Sequence, residues 1–168
     1  MPLFTPSELE TLTGLSVANQ RAWRHSGFLR DRGEQTAGGH WRFRPGDVLF
    51  VATARAVADM GLTLGVATVV ADHVLRDVAA AVRGEDGARP DHPFVLIWKA
   101  VDTARDAPGV LTTDDDGFSF IALADLARVP AFTRSGGFVL IVADIARKIP
   151  PEVAALFAPQ EKGGAADA

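Results

Sequence analysis

The sequence predicts a mainly α-helical N-terminal part followed by a small α+β domain, and three observations lead to this division. Two short helix signals and a longer apolar helical pattern fall before residue 84. A polar stretch that contains Gly and Pro, 84–93, then interrupts the pattern. Beyond it, short apolar runs flank an Asp-Gly turn, which is typical of antiparallel strands.

The first helix signal begins at Thr5, whose hydroxyl can accept from the third helical N–H while Glu8 reaches back to the backbone of Thr5. Pro6 follows at the first helical position, where its missing N–H costs nothing. Gly14 can adopt the positive φ that ends a helix. These features predict a short helix that ends at Gly14.

A second short helix is predicted from Val17 to about Ser26, with Ser16 as its N-cap and Gly27 as its end. Two short helices joined by a Gly-containing turn make a helix-turn-helix, although an ordinary helical hairpin has the same pattern. The polar side chains of the second helix favour the first interpretation, because they suit base edges and phosphates. They are Asn19, Gln20, Arg21 and Arg24.

A short ribbon is predicted around Gly38-Gly39, where cations alternate with aromatic residues up to Pro45: His40, Trp41, Arg42, Phe43 and Arg44. Between Asn19 and Arg44 the chain has six arginines and two acidic residues, a local charge of +4, although its net charge is −4. Positive charge gathered on a helix-turn-helix and a ribbon favours phosphate contact over a merely solvated basic face.

These features resemble the winged helix-turn-helix of the MerR family and its excisionase-like relatives over about the first 65 residues. The resemblance rests on five motifs, which are Thr13-Gly14-Leu15-Ser16, Arg21-Ala22-Trp23, Gly27-Phe28-Leu29, the ribbon residues Gly38, Gly39, His40, Arg42, Phe43, Asp47 and Val48, and the joint Met60-Gly61-Leu62-Thr63-Leu64. The chain departs from the MerR pattern at Gln20, Trp23 and Trp41. The usual MerR action on an overlong promoter spacer is therefore not part of the expectation.

The resemblance implies a sequence-specific, DNA-binding transcriptional regulator that acts as a homodimer on double-stranded DNA. The second helix would enter the major groove with Asn19, Gln20 and Arg21 nearest the bases, and the ribbon would contact phosphates or the minor groove. For Trp23, DNA contact and a core position are equally open, and Phe43 has a core alternative. The full predicted contact set is Ser16, Ala18, Asn19, Gln20, Arg21, Trp23, Arg24, His40, Trp41, Arg42 and Arg44.

After the winged helix-turn-helix domain, 1–64, a long helix is predicted over 65–83 with valines at steps of four: Val66, Val70, Val74, Val78 and Val82. In MerR-like proteins this helix pairs across a dimer axis, so the resemblance makes the valines a dimerisation seam. The alternative, at equal weight, is that the stripe packs on the chain's own C-terminal domain.

The C-terminal α+β domain is predicted over 94–158, after the linker 84–93 and before a disordered tail, 159–168. We expect strands at 94–98 and 138–142, a hairpin formed by 110–113 and 118–122, and short helices at 123–129 and 152–157. Six of its aromatic residues are Phe94, Trp98, Phe118, Phe120, Phe132 and Phe138, and a packing role is favoured for them over a ligand-sensing pocket. Assembly of subunits, or contact with RNA polymerase or another protein, is a further hypothesis for this domain.

Other classes of function find little support. The chain has no cysteine, and its four histidines have no metal-ligand spacing, so we expect no metal and no cofactor. No nucleophile or phosphate-loop motif occurs, so we expect no enzyme. No signal peptide or membrane-spanning run is evident, and we expect a cytoplasmic location. The alternatives to a regulator are an excisionase-like architectural factor in recombination and a protein-interaction adaptor.

Overall fold

A computed structural model describes residues 2–84, 93–98, 110–112, 118–122 and 137–158. The chain divides into two compact units, the first made of Met1–Ala88 with Ala146–Ala168 and the second of Arg89–Ile145. The predicted linker, the Asp-Gly turn, the helix at 123–129 and the tail lie wholly or largely outside the described residues. So do the side chains of the six aromatic residues between Phe94 and Phe138.

The first unit is mainly helical and contains a small two-stranded sheet. Its elements in chain order are α1 (Pro6–Thr13), α2 (Val17–His25), β1 (Glu34–Gln35), β2 (Trp41–Arg42), α3 (Pro45–Ala58) and α4 (Leu64–Arg83). The strands of the ribbon pair antiparallel, with Glu34 opposite Arg42 and Gln35 opposite Trp41. Phe4 and Phe43 exchange two backbone hydrogen bonds of 2.8 and 2.9 Å, which tie the start of the chain to the ribbon.

Helices α1 and α2 form at the predicted places. The N–H of Glu8 donates to the Thr5 hydroxyl and the N–H of Thr5 donates to the Glu8 carboxylate, so the predicted capping box is confirmed. Ser16 Oγ accepts from the N–H of Asn19 at 3.2 Å and caps α2. Gly14, at φ +68°, ends α1 where Arg55 Nη1 approaches to donate to the Thr13 carbonyl at 2.6 Å.

Helices α3 and α4 form the core of this unit. Ten of the fourteen residues of α3 are buried, as its apolar composition predicts, and α4 packs mainly against α3. The valine stripe of α4 lies in this buried region: Val66, Val70, Val74 and Val78 are at most 3% exposed in the single chain, and only Val82 is half-buried. The predicted dimerisation seam is therefore corrected, because four of its five valines are already covered.

The second unit contains a four-stranded antiparallel sheet in the order β4-β5-β3-β6, with β3 at Pro93–Trp98, β4 at Val110–Thr112, β5 at Phe118–Ala122 and β6 at Gly137–Ile141. The strand at 94–98 and the hairpin pairing of β4 with β5 are confirmed. Strand β6 ends one residue earlier than predicted, because Val142 already begins a helix, α5 (Val142–Arg147).

The last described segment belongs to the first unit rather than to the sheet. Helix α6 (Pro151–Ala155) packs against α3 and α1. Val153 is fully buried and Ile149 is 5% exposed, so these apolar side chains anchor the segment. The second unit is consequently shorter than the predicted 94–158 domain, since the chain returns to the first unit at Ala146.

Candidate nucleic-acid interface

Helix α2 has two different faces. Ala18, Arg21, Ala22 and His25 are exposed and follow the spacing of a single helix face, and Asn19 is exposed beside them. Two of these residues are small, so the helix backbone can approach a surface closely. The remaining exposed side chains carry a cation, an amide and an imidazole, all of which can donate hydrogen bonds.

The opposite face of α2 is a packing face and includes two residues that were predicted to contact DNA. Gln20 is 3% exposed, and its Nε2 donates to the carbonyls of Pro6, at 2.8 Å, and Leu15, at 2.9 Å. The prediction of Gln20 among the residues nearest the bases is wrong, because its amide ties α2 to α1. Trp23 is 9% exposed, so of its two interpretations the core position is the correct one.

Ser16 is half-buried and serves as the cap of α2. The cap is reinforced by Glu10, whose carboxylate accepts from the N–H of Val17 at 3.2 Å. Both acceptors satisfy backbone donors of the first turn of α2, and Glu10, which belongs to α1, also holds the N-terminus of α2 against α1. The α1–α2 turn thus fixes the direction in which the outer face of α2 points.

The ribbon carries its predicted cations and aromatic residues in different environments. His40 and Arg44 are exposed, Trp41 and Arg42 are half-buried, and Phe43 is fully buried, which settles its core role. Arg44 Nη2 forms an ion pair of 2.9 Å with Glu34 across the ribbon. Both partners are about half-exposed, so this pair contributes little to stability and can exchange for another anion.

An open cleft of about 560 Å³ separates the outer edge of α2 from the ribbon. Its lining is basic and aromatic and includes Val17, Arg21, Arg24, His25, His40 and Trp41. The structure therefore brings Arg21 and Arg24 of α2 together with His40 and Trp41 of the ribbon, whereas Ala18, Asn19, Arg42 and Arg44 lie outside the cleft lining. His25 and Ala22 belong to the exposed face of α2 and were missed, although His25 lies four residues after Arg21 and Ala22 lies four residues after Ala18, which is the spacing of one helix face.

Arg24 is half-buried at the base of this cleft. Its guanidinium carbon lies 3.4 Å from the centroid of the Trp41 ring and 5.4 Å from that of Phe43. Burial lowers the pKa of Arg24, and the nearby carboxylate of Asp47 acts in the opposite direction. The side chain is therefore engaged with the protein rather than open to solvent.

Comparisons with known proteins add no relative. A scan against protein-family models matched no family, and a search of curated proteins found no matching sequence. Within the described residues, no helix has the length and apolar character needed to cross a membrane. In the same part of the chain, no three His, Cys, Asp or Glu side chains lie together in a way that could hold a metal ion.

Proposed function

We propose that this chain is a sequence-specific DNA-binding transcriptional regulator of the MerR-like type, which acts as a homodimer. The observation that carries the proposal is the juxtaposition of an exposed, polar face of α2 with an exposed basic ribbon. In this interpretation α1, α2 and the ribbon form a winged helix-turn-helix, with α2 as the reading helix and the ribbon as the wing.

The outer face of α2 suits the major groove of DNA. An α-helix fits this groove, and base edges there present hydrogen-bond donors and acceptors. Asn19 and Arg21 offer the amide and guanidinium groups that pair with adenine and guanine edges. Ala18 and Ala22 are small, so the backbone of α2 can approach the walls of the groove closely. The flanking ribbon then lies beside the DNA backbone.

The charges on this surface support phosphate contact. Among the described residues, Arg21 forms no ion pair, so its charge is available to a ligand. The Arg44–Glu34 pair is exposed, and a phosphate can replace the carboxylate at little cost. A negatively charged ligand thus meets cations on both the helix and the ribbon, as electrostatic docking on DNA requires.

The homodimer is the part of the proposal that rests on the resemblance. A two-fold DNA site read by two copies of α2 needs a dimer. The contact between the copies must use residues other than the four buried valines of α4. Sedimentation at micromolar concentration, with and without a duplex that contains two half-sites, measures whether the dimer forms alone or only on DNA.

The test of DNA reading starts with selection from a pool of random duplexes by the full chain, followed by affinity measurements on the enriched sequence. Arg21→Ala should weaken binding by about 1–3 kcal/mol, as expected for a lost bidentate base contact. It should also reduce discrimination between the selected duplex and a scrambled one. Arg76→Ala is the matched control, because Arg76 is an exposed arginine of α4 outside the cleft lining.

The competing functions give different results. Failure to enrich any motif, together with equal affinities for wild type and Arg21→Ala, would contradict sequence-specific reading and favour an adaptor. Chromatin immunoprecipitation then separates the two DNA-binding functions. Binding at promoters with inverted repeats supports a regulator, whereas binding confined to a recombination attachment site supports an excisionase-like factor.

A further inference from the structure

Arg24 connects the helix α2 to the ribbon and to the segment that follows α2. Its guanidinium covers the Trp41 ring at 3.4 Å, and its Nη1 donates to the carbonyl of Arg32 at 3.3 Å. A guanidinium stacked on an indole keeps its in-plane N–H groups free to donate. Arg24 therefore makes both contacts at once, one through its face and one through its edge.

Arg32 continues the connection to the next two helices. Its guanidinium lies over the ring of Phe50 in α3, 4.3 Å from the centroid, and forms an ion pair with Asp72 of α4. The Arg32 side chain is only 24% exposed. The Phe50 ring covers one face of the Arg32 guanidinium, and the carboxylate of Asp72, which is 60% exposed, holds its edge. The backbone carbonyl that Arg24 uses belongs to this same residue.

We infer that Arg24 and Arg32, with Trp41 at one end and Asp72 at the other, form an arginine bridge that couples the position of the ribbon to helix α4. Arg24 is then a positioning residue that sets the separation between α2 and the ribbon, not a phosphate contact as the sequence predicts. The inference rests on the proposed function only for its effect on DNA binding; the bridge itself is a property of the free protein.

The coupling has a physical basis in the small size of the ribbon. Strands of two residues each cannot hold a ribbon in place by their own pairing. Its position therefore depends on further contacts, which are the backbone hydrogen bonds between Phe4 and Phe43, the burial of Phe43 and the stack of Arg24 on Trp41. The stack is the contact that joins the ribbon to α2. Loss of the stack would let the ribbon adopt positions in which α2 and the ribbon cannot contact the same duplex at once. The apparent affinity would then equal the intrinsic affinity multiplied by the fraction of molecules in the binding-competent position.

Salt dependence distinguishes a positioning arginine from a phosphate contact. Removing a phosphate contact lowers the slope of log affinity against log salt by about one, because one fewer counterion is released. Arg24→Lys keeps the charge but loses the planar stack and its fork of donors. We expect this variant to bind the selected duplex roughly 2- to 30-fold more weakly, the range of a cation–π contact. Arg24→Gln removes the charge as well, and its salt slope should equal that of the wild type if Arg24 contacts no phosphate.

The far end of the bridge supplies the second variant. Asp72→Asn removes the ion pair between Asp72 of α4 and Arg32. Asp72 does not line the cleft between α2 and the ribbon, so the substitution changes no residue of the cleft itself. In the full-length free protein, the indole N–H resonance of Trp41 should shift in Asp72→Asn and in Arg24→Lys. Asp77→Asn is the matched control on the same helix and should leave this resonance in place.

The two failures are distinguishable. A Trp41 resonance that is the same in wild type and Asp72→Asn overturns the coupling, whatever the DNA result. A salt slope reduced by about one in Arg24→Gln overturns the positioning role and returns Arg24 to the phosphate contacts. If the wild type binds no duplex, the proposed function fails, while the Trp41 shift in Asp72→Asn still decides whether the bridge exists.

Discussion

Helices α2 and α4 differ in how far their side chains are exposed to solvent. The resemblance implies an intermolecular role for both, α2 as the DNA-reading helix and α4 as the dimer seam, with packing of α4 on the chain's own C-terminal domain as an equal alternative. In the structure, α2 keeps one polar face exposed, whereas α4 places four of its five stripe valines in the core. Only the proposed role of α2 is therefore compatible with the surface that the chain presents.

The contrast teaches that an apolar stripe and a polar face are unequal evidence for a partner. An apolar stripe must be covered, and the chain itself competes with any partner to cover it. A polar face with cations has no such need and remains exposed unless a specific partner binds. The arginines of α2 and the ribbon thus support an interface more directly than the valines of α4 do.

Val70→Ala should have the largest effect on stability and tests whether the valine stripe of α4 is buried within the chain. Val70 is fully buried, so the lost methyl groups and the cavity should lower the free energy of unfolding by about 2–3 kcal/mol. Val82→Ala, at the half-buried end of the same stripe, should cost clearly less. Urea unfolding of both variants measures the difference.

A dimer seam at Val70 would give a different result. If Val70 lies in a dimer seam, the unfolding midpoint of the wild type would already depend on protein concentration, and Val70→Ala would lower the association constant. A variant that stays as stable as wild type while it dissociates would contradict the burial of the stripe. Sedimentation velocity on the same samples separates the two cases.

Asn19 and Gln20 are neighbouring amides on different faces of α2, and their substitutions test the difference between the two faces. Gln20→Ala leaves the carbonyls of Pro6 and Leu15 without their buried donor and should lower stability by about 1–2 kcal/mol. Asn19→Ala should leave stability nearly unchanged and weaken binding of the selected duplex. Thermal unfolding and anisotropy titrations check both, and equal effects of the two substitutions on DNA affinity would refute the division of α2 into two faces.

The smallest expected effect concerns the capping box at the start of α1. Hydrogen bonds from the backbone and side chain of Thr5 lower the pKa of Glu8, with a minor contribution from Arg42. Because the folded-state pKa lies below the unfolded value, the stabilisation is present above the unfolded pKa and is lost as the pH falls through the folded one.

Glu8→Gln should remove this pH dependence. The stability difference between wild type and variant should shrink as the pH falls from about 6 to about 2.5, because protonation makes the two side chains alike. Urea midpoints across this range measure it. A difference that stays constant with pH would mean that the Glu8 carboxylate does not act as an ionised acceptor.

Local signals account for what the sequence predicted well. The caps at Thr5 and Ser16, the end of α1 at Gly14, the glycine turn of the ribbon and the pairing of β4 with β5 all depend on residues within a few positions of one another. Such features are determined by backbone geometry and short hydrogen bonds, so sequence spacing reveals them.

Contacts between distant residues account for what the sequence missed. The burial of Gln20 depends on a carbonyl fourteen positions away, and the ion pair of Arg32 on a carboxylate forty positions away. The return of Ile149 and Val153 to the first unit spans a whole inserted sheet. No local pattern specifies these partners. From the sequence alone a glutamine or an arginine is predicted to be exposed, because its buried partners are known only once the fold is known.

The most direct test of the account is an NMR titration of the full-length protein with the selected duplex, which maps amide shifts on α2, the ribbon and α4. We expect the largest shifts at Ala18, Asn19, Arg21, His25 and His40, and small shifts along the valine stripe of α4. Shifts concentrated on α4, or spread evenly with no preference for the outer face of α2, would contradict the proposed DNA surface.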